Sequence, residues 1–346
     1  MRAIGGPTRA LLGTPANAAV TLLMIALLAW ALPPLWHWGF DAATWTAESR
    51  RGCAVDGACW AFIRARLGLF FYGGFPLDER WRVNLAAMLL VAAFLGALFS
   101  RRHRGLWLGL LLVAVPLTAG VLLAGGMFGL RPVSTADWGG LLLNVVLSFV
   151  SVAGAIPLGT LLALGRRSRW PFVHGLCVVL VEFWRGVPLL AVLFMGMVLL
   201  PMALPQGWSL DNLLRALVVL TLFISAYMAE VVRGGLQGVE HGQREAAAAL
   251  GLHPIPAHLT VILPQAMRIA VPGIVNLVVD LFKDTTLVSI VGLFDLMGVV
   301  SQSLKDQNWL GLAREGYVFA AAVFFVCCLL LSLAGSVMER RLARRA

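Results

Sequence analysis

Long apolar runs separated by short polar and basic breaks organise this chain. A helix that crosses hydrocarbon needs about 20 mostly apolar residues, because each backbone N–H and C=O must be bonded within its own segment. Runs at about 17–35, 83–99, 106–123, 139–164, 172–200, 212–232, 265–292 and 316–338 meet this requirement. The pattern predicts an all-α integral membrane protein with about eight transmembrane helices. No heptads, low-complexity tract or repeat of roughly 20 to 50 residues competes with that reading.

Composition supports the pattern. Of 346 residues, 60% are apolar and 13% are charged, and the mean hydropathy is +0.87; a soluble domain carries about 25% charge. A net charge of +10 raises the idea of a nucleic-acid partner, but all basic residues except Lys283 and Lys305 are Arg, mostly clustered between the apolar runs. That placement fits membrane topology, not a phosphate-binding face, so a lipid bilayer and no nucleic acid is expected.

With the N-terminus in the cytosol, Arg2, Arg9, Arg101, Arg102, Arg104, Arg166, Arg167, Arg169, Arg233, Arg244, Arg268, Arg340, Arg341, Arg344 and Arg345 fall on the cytosolic side, the larger share of the 27 basic residues. Both termini are therefore expected there. The run following Arg2 and Arg9 is as long as a full span and lacks a small-residue cleavage site, so it reads as a retained helix and not a signal peptide.

A polar loop at about 36–82 then lies outside the cytosol. Its Trp60, Phe62, Ile63, Leu67, Phe70 and Phe71, mixed with Arg64 and Arg66, describe either an amphipathic helix in the headgroup layer or a segment packed on the bundle. Cys53 and Cys59 are a candidate disulfide in that loop, since it faces an oxidising compartment. Cys177, Cys327 and Cys328 fall inside apolar runs and are expected to be packing residues.

Motifs for chemistry are missing. A P-loop places Lys after Gly, whereas Lys283 follows Phe282 and Lys305 follows Leu304. The chain has no His-Glu-x-x-His, no Gly-x-Ser-x-Gly and no paired Cys and His, so no metal site or hydrolase is expected. These absences argue against an enzyme. The chain is expected to bind no cofactor itself, and if it transports a solute actively, the work must come from an ion gradient or a partner.

The most informative break is Arg233–Arg268. Gln243 to Leu250 consists of strong helix formers, Gly251 supplies a left-handed stop, and Pro254 and Pro256 prevent continuation. A helix of about two turns is marginal alone in water, so it is expected to dock on something. Its small Ala face with Leu250 suits a groove, with Arg244 and Glu245 at the rim. Glu245-Ala246-Ala247, then Gly251, then Val261-Ile262-Leu263-Pro264 resembles the EAA loop of ATP-binding-cassette (ABC) importer permeases, with Val261 where Ile is usual.

Ser225–Leu236, Arg185-Gly186-Val187-Pro188-Leu189 and Phe282-Lys283-Asp284-Thr285-Thr286-Leu287 resemble the permeases of polar amino-acid uptake systems. The resemblance covers about residues 138–338, which it implies to be a type-I importer core of five helices. Residues 1–137 would then be a three-helix extension with the outer loop, most like the M-type permease of general L-amino-acid importers, and 339–346 a basic cytoplasmic tail. It further implies a bacterial inner-membrane location and coupling through Arg244, Glu245, Ala246, Ala247, Leu250, Gly251 and Pro264. The implied partners are ABC ATPase subunits holding ATP and Mg, a second related permease and a periplasmic amino-acid-binding protein.

Ionisable residues at bilayer depth mark a partner, a cavity or a solute path. Glu182 and Arg185 share a helix face just before Gly186 and Pro188, which can loosen the backbone. Asp280, Lys283 and Asp284 share another, followed by Thr285, Thr286 and Ser289. Each set either lines a path or gate for a zwitterionic solute or neutralises itself and fixes helix packing. Glu230 and Arg233 read as gate or scaffold residues. An ion-coupled secondary transporter is the alternative; it would lack the docking loop.

Overall fold

The computed structural model describes residues 13–100, 102–203, 205 and 210–343; Arg2, Arg9, Arg101, Arg344 and Arg345 lie outside the described residues. In chain order the helices are α1 Pro15–Asp41, α2 Trp60–Tyr72, α3 Leu77–Phe99, α4 Gly105–Ala124, α5 Gly140–Gly165, α6 Pro171–Gly186, α7 Leu189–Ala203, α8 Asn212–Gln237, α9 His241–Ala249, α10 Pro254–Val291, α11 Leu296–Ser303 and α12 Ala313–Ala343. Seven of them (α1, α3, α4, α5, α8, α10 and α12) are long and apolar enough to cross a membrane, and α6 with α7 forms an eighth crossing if the bent pair is one span. No strand is present among the described residues.

Three expectations change. The run at 172–200 is not one helix: α6 and α7 meet at 105°. Val187, extended at φ −107° and ψ 133°, precedes Pro188, whose ring disfavours helical geometry in the residue before it. Pro254 does not merely stop the helix before it; it opens α10, in the first turn where a missing N–H costs nothing. The segment expected as a tail begins as helix, since α12 runs through Ala343. Arg341 donates to the Leu98 carbonyl at the end of α3 (3.2 Å) and lies over the Phe99 ring.

The chain forms two compact units, one holding residues up to Leu67 with Ser303–Phe319, the other Gly68–Gln302 with the chain from Ala320 onward. In the first, Cys53 and Cys59 form a disulfide with Cα atoms 5.5 Å apart. Glu315 accepts from the Cys59 amide (3.3 Å), Arg66 pairs with Asp306, and the Phe62 and Trp309 rings meet. Ala61, Phe62 and Ile63 of α2 are buried, which favours a packed segment over a helix lying free in headgroups.

In the second unit the core lies where α5, α7, α8 and α10 meet, around Leu143, Leu147, Leu193, Leu220 and Leu281. Small residues let α5 and α8 approach, since a Cβ at Gly159 would lie 2.6 Å from Met228 Cβ and 2.8 Å from the Ser225 carbonyl. On α3, Arg82 is fully buried, pairs with Glu79 (2.7 Å) and donates to the Arg131 carbonyl (2.7 Å), tying down the loop after α4.

Candidate functional site

The nine-residue α9 carries Glu245, Ala246 and Ala247 of the motif singled out in the sequence. Its end is a Schellman cap: the Leu252 amide donates to the Ala247 carbonyl (3.1 Å) and the Gly251 amide to the Ala248 carbonyl (2.9 Å), with Gly251 at φ +72°. That left-handed residue turns the chain so that Leu250 stands 80% exposed at the tip. Ala246 and Glu245 are also exposed, with Glu245 meeting His241 one turn earlier (3.1 Å), while Ala247 is buried against the bundle.

Two polar contacts hold this helix. Arg244 turns inward and donates to the Leu236 carbonyl at the end of α8 (3.1 Å), and Gln265 of α10 donates to Gln243 (3.1 Å). Pro264, the last motif position, shapes the start of α10: lacking an N–H, it cannot bond the Thr260 carbonyl, and the preceding turn Ala257–Ile262 widens into a π-helix.

Near the same ends of α5, α6 and α8 a charge cluster forms. Glu230 pairs with Arg166, with Arg233 (2.6 Å) and at longer range with Arg185 (3.8 Å), while Glu182 pairs with Arg166 (3.1 Å). Glu182 and Arg185 therefore do not simply neutralise each other one turn apart; each bonds to a residue distant in sequence, across the first limb of the broken pair. Arg185 also lies over the Tyr227 ring. Arg167 donates to the Leu236 carbonyl (3.5 Å). Its guanidinium is pushed below the usual arginine range by burial first, then by Arg244 and Arg233.

The remaining sequence candidates divide. Asp280 and Lys283 pair at 2.9 Å on an exposed face of α10, with Asp284 partly buried beside them. Thr286 and Ser289 each bond a carbonyl one turn back, in the tighter 3₁₀ end of α10. Thr285 is fully buried and belongs to a network that sequence reasoning missed. Asn144 of α5 donates to Thr285 Oγ1 (2.8 Å) and to Asp295 (3.0 Å) and accepts from the Leu296 amide (3.0 Å). Asp295 also caps α11 through the Gly298 amide (2.9 Å), and burial pushes its carboxyl above the usual range. The available signal was an amide inside an apolar run.

Residues 155–344 match the family described as binding-protein-dependent transport system inner membrane component. The chain is 47% identical to the inner membrane amino-acid ABC transporter permease protein YhdY of Escherichia coli, over 94% of this chain and 89% of that protein. It is 36% identical to the glutamate/glutamine/aspartate/asparagine transport system permease protein BztC of Rhodobacter capsulatus, over 95% and 91%. Among solved structures, that of an amino acid ABC transporter with histidines is similar, with TM-score 0.52 and 30% identity over 58% of this chain and 92% of that one. The chain belongs to the binding-protein-dependent transport system inner membrane components, and it is a membrane-spanning permease subunit of the ABC-importer class.

Proposed function

We propose that this permease imports L-amino acids across a bacterial inner membrane by alternating access, driven by a partner ATPase that docks on α9. The observation that carries this is the shape of α9: a nine-residue helix with a Schellman cap, an exposed Leu250 and Glu245, and inward anchors through Arg244 and Gln243. So short a helix is marginal alone in water, and its anchors hold an exposed tip available for contact. ATP and Mg sit on the ATPase, and this chain holds no nucleotide. A second, related permease completes the pore as a heterodimer, and a periplasmic amino-acid-binding protein delivers solute. Amino acids as the cargo class rest on the similarity to YhdY and BztC.

On this reading Glu182, Arg185 and Pro188 at the broken pair form a gate. Asp280, Lys283, Asp284, Thr286 and Ser289 border the solute path, and Thr285 braces its wall. A mild-detergent pull-down of the tagged chain from native membranes compares wild type with Gly251→Asp, which puts a Cβ and a charge at a left-handed position. An ATPase recovered with wild type and lost with the variant supports docking through α9. No ATPase in either sample overturns the reading.

A further inference from the structure

Arg166 and Arg167 are consecutive in the five-residue turn between α5 and α6; both side chains reach α8, and Arg166 alone also reaches α6. The turn is firmly bonded: the Arg166 amide donates to Leu162 (2.9 Å), that of Arg167 to Leu164 (3.0 Å) and that of Ser168 to Gly165 (3.0 Å). The Arg166 carbonyl meets His174 Nδ1 (2.7 Å). From this base Arg166 reaches Glu230 of α8 and Glu182 of α6, while Arg167 reaches the Leu236 carbonyl.

That carbonyl is among the last four of α8, which lack a partner within their own helix, and Arg244 of α9 takes the same oxygen (3.1 Å). Two guanidiniums on one acceptor repel, and each weakens the other's bond. Arg244 Nε is buried without a hydrogen-bond partner among the described residues, so its hold on α8 is incomplete. If α9 moved away with Arg244, the carbonyl would be left to Arg167; if α9 pressed inward, Arg167 would be displaced.

We propose that the Arg166–Arg167 turn is a relay that passes displacement of α9 to the broken helix pair, Arg167 reading Arg244 through the shared Leu236 carbonyl and Arg166 holding Glu182 on α6. This rests on the reading that α9 docks the ATPase. Both arginines act as positioning residues. A residue that merely capped α8 would change how much complex forms; a relay changes how much solute moves per ATP.

The test uses the whole complex in proteoliposomes, with a tritium-labelled L-amino-acid mixture outside, ATP within reach of the ATPase, and three readings: ATPase retained, ATP hydrolysed and label taken up. Arg167→Ala should raise ATP consumed per solute by roughly fivefold or more with the ATPase still bound, and Arg244→Ala, which also loosens an anchor of α9, should raise the same ratio per complex recovered. The double variant should be no worse than the poorer single one, because both act through one carbonyl. Arg167→Lys, which keeps a charged donor, should stay near wild type. Arg167→Gln is run beside the alanine variant and decides by the same ratio if that variant fails to assemble.

An unchanged ratio, effects that multiply in the double variant, or uptake lost only in proportion to lost complex would each overturn the relay. Absence of the ATPase from the wild-type complex fails the docking reading instead, before any variant is compared.

Discussion

Asn144 is buried in the core with three side-chain hydrogen bonds that join α5 to the end of α10 and to the segment after it. Its amide donates twice, to Thr285 and Asp295, and its carbonyl takes the Leu296 amide. Asn144→Ala strands buried polar groups at about 1–3 kcal/mol apiece. We expect it to lower the thermal midpoint of the detergent-purified chain clearly, whereas Cys177→Ser, on a residue with intermediate burial, should move it far less. An unchanged midpoint in Asn144→Ala would show that the network bears no load. Residue-scale features were legible in the sequence only where they are local. Gly251 announced itself through neighbours a turn away. Arg166 did not, because Glu182 and Glu230 lie 16 and 64 positions on, and no spacing within one helix connects them.

Among elements, the eight runs were legible because hydrocarbon imposes one length on every crossing. The bend between α6 and α7 was not, since both limbs are apolar and hydropathy is blind to direction. Gly186 and Pro188 pointed at the right place but not at 105°. The contact of α5 with α8 was hidden too: a glycine in an apolar run reads as a weak helix position until the partner backbone is in view. Gly159→Leu tests how tight it is. With 2.6 Å available at the Cβ, overpacking costs about 1–3 kcal/mol or more. We expect lower membrane yield and a lower thermal midpoint, with Gly175→Leu, where nothing lies within 4 Å of a Cβ, as the tolerated control. Equal behaviour of the two would mean that α5 and α8 separate easily.

For the molecule as a whole, the bend decides topology. If α6 and α7 together cross the membrane, eight crossings return the C-terminus to the side of the N-terminus, and α9 faces the same side as the turn at Arg166–Arg169. If the pair instead dips in and out on one side, every later element changes sides, and Arg233, Arg244 and Arg268 move away from Arg166, Arg167 and Arg169. The ion pairs of Arg166 with Glu230 and the shared Leu236 carbonyl join these segments directly, which favours a full crossing; so does the rule that places Arg-rich breaks on the cytosolic side. Reporter fusions separate the cases. Fusions after Asp56 and after Gln307 should report the outside and one after Gln243 the cytosol. With a re-entrant pair the Asp56 signal would stay outside while Gln243 and Gln307 exchanged sides. That result would put α9 beyond the reach of any cytosolic ATPase and remove the coupling reading along with it.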